Sequence, residues 1–105
     1  MDTIQNDPKN HVKYSDNDVV CCPYCNNEYL HHKDVIIYNR IQEDSVQGLA
    51  VHVTLDSVIT DDNLTGNPSA RRNGLVIYFE CENCGNTYTL ALSQHKGTTH
   101  LHWIR

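Results

Sequence analysis

The chain is 105 residues long, with 39% apolar and 20% charged side chains and a formal net charge of -5, a size that fits one domain. No stretch approaches the roughly 20 apolar residues a membrane helix needs, the polar opening MDTIQNDPKNHVKY offers no secretory apolar run, and the acidic balance disfavours nonspecific binding along a nucleic-acid backbone. The apolar share predicts a marginal core, for which a bound metal is one of the usual remedies.

Residues 1–18 are rich in Asp, Asn and Lys without periodicity, which predicts a flexible polar tail ahead of a domain over 19–105. After the run Cys21-Cys22-Pro23-Tyr24-Cys25, the β-branched segment DVIIYNRI (34–41) reads as a strand. GLAVHVTLD (48–56) alternates apolar and polar side chains, the period of a half-buried strand. Residues 57–73, with Asp61, Asp62, Asn63, Gly66, Asn67 and Pro68, read as one long loop of a length that is often functional. GLVIYFEC (74–81) is the strongest strand signal, with Leu75, Ile77, Phe79 and Cys81 on one face. Glu82-Asn83-Cys84-Gly85 turns the chain into NTYTLALSQ (86–94), and His95-Lys96-Gly97 turns it again into TTHLHWIR (98–105). Three consecutive strands on short turns predict an antiparallel meander. The expected fold is therefore all-β, a small antiparallel sheet of four to five strands.

The cysteines carry the chemistry. The absence of a secretory signal predicts a cytoplasmic, reducing location, where cysteine clusters are metal-binding or catalytic more often than disulfide-bonded. The odd count of five fits poorly with a closed disulfide framework. Two C-x-x-C pairs, Cys22/Cys25 and Cys81/Cys84, can each form a knuckle, and two knuckles supply the four thiolates of a structural Zn2+ site. The residue after each pair is Asn26 or Gly85, the types best able to take the positive φ such a turn needs. The separation of 55 residues between the pairs exceeds the usual zinc spacing, so the chain must build strands and return. Cys21 is expected to be a bystander thiol. His31 and His32 are the nearest alternative ligands, though four thiolates already suffice. Cys22-Pro23-Tyr24-Cys25 also looks like the active-site motif of glutaredoxins, a thiol-disulfide oxidoreductase reading that requires a helix after the motif. The following NNEYLHHKDVIIY has no amphipathic helical pattern.

His52, His100 and His102 fall on the polar sides of their strands and are expected on solvated faces, and Asp61 and Asp62 are expected as solvated loop carboxylates. If 74–81 and 86–94 pair as a hairpin, Arg71, Arg72, His95 and Lys96 gather at its open end. Such a cationic cluster can hold phosphate or carboxylate. The alternative is internal pairing of the arginines with Asp56, Asp61 or Asp62.

From Cys22 onward the chain resembles the zinc-ribbon class. It resembles more narrowly a group of small, uncharacterised zinc-ribbon proteins of bacteria and their mobile elements, through CPYC (22–25), NPSARRNGL (67–75), CENCG (81–85) and QHKGTT (94–99). Zinc ribbons generally serve as nucleic-acid or protein interaction modules, so the resemblance implies a noncatalytic binding role. With no Lys/Arg stripe and an acidic balance, a protein partner is favoured over nucleic acid. Neither a membrane role nor an oligomeric state is implied.

Overall fold

The computed structural model describes residues 11–104, so only part of the expected tail, 1–18, falls within the described residues. The described chain is all-β and contains no helix. Six strands, β1 (Leu30–Arg40), β2 (Gly48–Val53), β3 (Val58–Asp61), β4 (Gly74–Cys81), β5 (Thr87–His95) and β6 (Thr98–Ile104), form one sheet in the order β3-β2-β1-β4-β5-β6. Every pairing is antiparallel. The sheet is thus two three-stranded meanders joined along β1 and β4, and the meander expected over 74–105 is the second of them.

The extra strand lies in what reads as loop. Val58, Ile59 and Thr60 are β-branched and pair with β2 at the sheet edge, where the following Asp61-Asp62-Asn63 masks their strand signal. The remainder of that segment, 62–73, is long for a topological reason. It must carry the chain from the edge strand β3 past β2 and β1 to β4, a path of roughly 14 Å at ~4.8 Å per strand. It crosses one face, which becomes the covered face. Leu64 packs on the buried cluster of Tyr38, Ala50, Val76 and Ala91. A Cβ on Gly66 would stand 2.4 Å from the Tyr38 hydroxyl, so only glycine lets the loop lie this close to the ring.

Arg40 fastens the crossing. Its Nε donates to Arg72 O at 3.0 Å, Nη1 to Ser45 O at 2.7 Å, and Nη2 to Ser69 O and Ala70 O at 3.0 and 3.2 Å. These carbonyls would otherwise lie in a loop with no ladder to receive them.

The other face is different. By register, Val51, Val53, Ile37, Leu75, Ile77 and Leu92 share it. The in-register charged residues Arg40, Asp61 and Glu80 lie on the covered face, as do His52, His100 and His102. At the sheet margins Ile59 and Ile104 of the covered face are exposed, and Leu49, Val53, Val58 and Leu101 of the opposite face are 46%, 38%, 64% and 37% exposed. Toward the thiol end this face closes over Trp103, which is 1% exposed. Phe79 and Tyr88 meet its ring edge-on at centroid distances of 5.9 and 6.4 Å.

The expectation of solvated histidine faces needs correction. His102 is half-buried and its Nδ1 has no partner among the described residues. His52 is half-buried with Nε2 3.3 Å from Asp61 Oδ2. The reason is the crossing loop, which makes the polar side of these strands the covered side. Asp61 is accordingly a strand residue, not a loop carboxylate.

Candidate metal centre

Each C-x-x-C pair folds by the same local chemistry. In the first knuckle the Cys22 amide donates to Asn27 O at 2.8 Å and the Asn26 amide to Cys22 O at 3.0 Å. In the second the Cys81 amide donates to Asn86 O at 3.0 Å and the Gly85 amide to Cys81 O at 2.9 Å. Closing this ring requires a left-handed residue after the second cysteine, and Asn26 and Gly85 supply it at φ 64° and 74°.

The sheet brings the two knuckles together. β1 begins beside the end of β4, with Leu30 opposite Cys81, and the Glu82 amide donates to Tyr29 O at 3.0 Å. The chain leaves the first knuckle along β1, builds β2 and β3, crosses back, and returns along β4 to place the second. A bulge in β1 between His32 and Val35 adds one residue on that strand. It keeps Val35 and Ile37 on the same face as Leu30 and His32 despite the odd spacing.

All four sulfurs lie within 4.8 Å of one another. Cys22 Sγ is 3.9 Å from Cys84 Sγ, and Cys25 Sγ is 3.6 Å from Cys81 Sγ. These separations exceed the ~2.05 Å of a disulfide. They match the edge of about 3.8 Å that a tetrahedron of sulfurs takes around an ion with bonds of ~2.3 Å. The group can therefore hold a metal ion. Cys22 and Cys81 are buried, whereas Cys25 and Cys84 reach part of the surface.

Polar donors converge on the sulfurs. The Tyr24 amide points at Cys22 Sγ at 3.4 Å and the Cys84 amide at Cys81 Sγ at 3.5 Å. Asn83 Nδ2 donates from the second knuckle to Cys25 Sγ at 3.4 Å, and this amide, helped by the Asn27 backbone, brings the Cys25 thiol down to about 6. The Tyr88 hydroxyl lies 3.2 Å from Cys84 Sγ, and its donation is the first cause holding the Cys84 thiol below its ordinary value. Such donors stabilise thiolate, the form that binds metal, although at Cys81 the amide donors are outweighed by burial and the neighbouring Cys25 and Cys84 thiols, which push the thiol up to about 11.

The spare residues fall outside the group. Cys21 is buried with its thiol 3.6 Å from Val19 O. His31 sits with Nε2 2.8 Å from Glu82 Oε1, so its ring is engaged by a carboxylate beside the knuckle.

Arg71, Arg72, His95 and Lys96 lie at the opposite end of the β4–β5 hairpin. The Gln94 amide donates to Asn73 O at 3.1 Å, and Ser69 Oγ accepts from the Arg72 amide while donating to Gln94 O. The arginines are paired internally, but with other acids than Asp56, Asp61 or Asp62. Arg71 holds Asp44 in a two-pronged contact, with Nη2 2.8 Å from Oδ2, and Arg72 meets Glu43. Arg71 keeps the Asp44 carboxyl below its usual range. Burial, with Lys96, Arg72 and His100 nearby, lowers the His95 imidazole.

Arg40, Tyr88 and Asn83 are the contributors that motif reading misses. Tyr88 had a usable signal, since it shares a strand face with Leu90 and Leu92 next to the knuckle. Arg40 had none, because a lone arginine ending a strand does not announce four carbonyl partners. Comparison with protein-family models, curated proteins and solved structures gave no match, so the site stands on its own geometry.

Proposed function

We propose that this chain is a noncatalytic, cytoplasmic, zinc-stabilised binding module whose partner is a protein. The observation that carries the partner class is the open sheet face. It is apolar across several strands, and the charged residues held in register lie on the other side. Leu49, Val53, Val58 and Leu101 expose apolar surface there, and exposed apolar surface is what protein interaction sites offer. Zinc is favoured because four cysteines with their sulfurs within 4.8 Å of one another can supply the tetrahedral thiolate set of its structural sites. The resemblance of both knuckles to zinc ribbons supports the same ion.

A nucleic-acid-binding zinc ribbon would rely on Arg71, Arg72, His95 and Lys96, but Asp44 and Glu43 already face the two arginines. A CPYC oxidoreductase needs an accessible first thiolate at a helix N-terminus. Cys22 is instead fully buried, and no helix follows it.

Elemental analysis of freshly reduced protein should find about one zinc per chain. Cys81→Ser should lose most of it, whereas Cys21→Ser should keep it. Titration of labelled DNA and RNA oligonucleotides should show no binding that steepens as salt falls. Metal-free native protein would remove the zinc assignment. Salt-dependent oligonucleotide binding lost in Arg71→Ala/Arg72→Ala would transfer the function to the cationic end.

A further inference from the structure

A sheet leaves unpaired amides and carbonyls along its two outermost strands, here β3 and β6. The two edges are built differently. β3 has four residues and ends on Asp61, followed by Asp62, and short, charged strands are how sheets blunt an edge. β6 has seven residues, TTHLHWI, with no proline, lysine or acid and an unbroken register against β5. We propose that the outer edge of β6 takes up an extended, acidic segment of another protein as an added antiparallel strand. This inference rests on the protein-binding reading and names the form and charge of the partner.

The turn between β5 and β6 decides which groups face outward. Lys96 and Gly97 take φ of 51° and 83°, the two-residue turn of left-handed residues that matches strand twist. His95 and Thr98 flank it and form the first hydrogen-bonded pair, and bonded and non-bonded pairs alternate from there. Gln94 with Thr99 and Leu92 with Leu101 are therefore non-bonded pairs. The Gln94 amide accordingly points away from β6, to Asn73 O at 3.1 Å. By the same parity the N–H and C=O groups of Thr99 and Leu101 point away from β5, where no described strand meets them. Both residues are exposed. Trp103 shares that parity but is 1% exposed, so the open edge ends before it. An extended chain presents donors and acceptors at the matching interval.

Charge selects the segment. The chain's net charge is -5, yet all 13 Asp and Glu residues precede Asn83, so β5, β6 and their turn hold none. Lys96 stands in the turn, and His100 and His102 lie on the covered-face side of β6, with the His95 ring 6.3 Å from that of His100. An antiparallel strand whose alternate side chains are carboxylates sets them beside those imidazoles, where charge-assisted hydrogen bonds form. Its intervening side chains lie next to Leu101, 37% exposed on the other face, and should be apolar. A second copy of β6 in that place would set imidazole against imidazole and bring no acid.

Fluorescence anisotropy of the zinc-loaded full chain with a labelled peptide of alternating valine and glutamate tests this. The dissociation constant should be of micromolar order. N-methylation of the valines, whose amides face Thr99 and Leu101, should weaken binding at least ~10-fold, as should lysine in place of glutamate. Leu101→Pro should do the same while zinc content and far-ultraviolet spectrum stay native, because that N–H takes no part in the ladder and proline is tolerated on edge strands. Should that variant lose zinc, Thr99→Pro, of the same parity, replaces it. A parent peptide that stays unbound at high micromolar concentration overturns the proposal, as does binding that both proline variants leave intact or that the lysine peptide shares. A native dimer in sedimentation that the proline variant dissolves overturns it in favour of a second copy. Absence of both peptide and oligonucleotide binding removes only the edge and leaves the protein-module reading. Steeply salt-dependent oligonucleotide binding with the peptide still bound removes only the choice of protein over nucleic acid and leaves the edge.

Discussion

Arg40 shows how one side chain decides whether a loop has a place. Its guanidinium answers carbonyls of Ser45, Ser69, Ala70 and Arg72, so it joins the β1–β2 turn and the crossing loop to the end of β1. A planar fork with five donors suits this task, and an ammonium does not. Arg40→Met keeps much of the stem but strands the Ser45, Ser69 and Ala70 carbonyls, whereas Arg72 O keeps its Asn67 Nδ2 donor. The substitution should lower unfolding free energy by about 2–3 kcal/mol, since hydrogen bonds to charged groups carry about 1.5–3 kcal/mol each and water replaces part of the loss. Urea unfolding reads the change. Arg71→Ala should barely move the same midpoint, because its pairing with Asp44 is solvent-exposed on both sides and such pairs contribute little. Equal losses in the two variants would refute Arg40 as the fastening residue.

At the scale of elements, the bulge in β1 aligns two demands. The first knuckle needs Leu30 opposite Cys81, and the apolar face needs Val35 opposite Ile77. Thirty-five minus thirty is odd, so an unbroken strand would put Leu30 and Val35 on opposite faces. The extra residue near Lys33 and Asp34 removes the conflict, and Lys33 Nζ still reaches Glu80 Oε1 at 3.3 Å. Deleting Asp34 should therefore force a choice. Either the knuckles misalign and zinc is lost, or β1 turns Val35 and Ile37 toward the wrong face. The expected result is a zinc content well below one per chain together with a lower melting temperature. Native zinc content and native stability in the deletion would show that the bulge is incidental.

For the whole molecule, burial of the histidine-bearing face ties stability to pH. Burial, with His100 nearby, holds the His102 imidazole below its ordinary value. The unfolded chain therefore binds that proton more readily than the folded one. Stability is full above the ordinary histidine pKa of about 6.5 and falls as pH drops through it toward the lower folded value. His95, lowered first by burial, acts in the same direction. Native protein should lose urea resistance between about pH 7.5 and pH 5.5, and His102→Gln should lose less. Thiolate protonation also weakens metal binding in acid, and the comparison with the variant separates the two because both proteins keep all four thiols. Parallel pH profiles would dismiss His102 as a contributor.

Local chemistry alone determined the knuckles. Two C-x-x-C pairs followed by Asn26 and Gly85 specify their turns within a few residues, and the second meander likewise follows from period-two alternation and tight turns. The sheet order was decided only in three dimensions, because nothing local says that β4 pairs with β1. That one pairing closes the 55-residue gap between the cysteine pairs, makes 62–73 a crossing segment, and so turns the side bearing His52 and His102 into the covered face. The partners of Arg71 and Arg72 follow from the same fact. The crossing loop ends beside the β1–β2 turn, so Asp44 and Glu43 are within reach. Proximity that arises from strand pairing across a sheet leaves no trace in the spacing of residues along the chain.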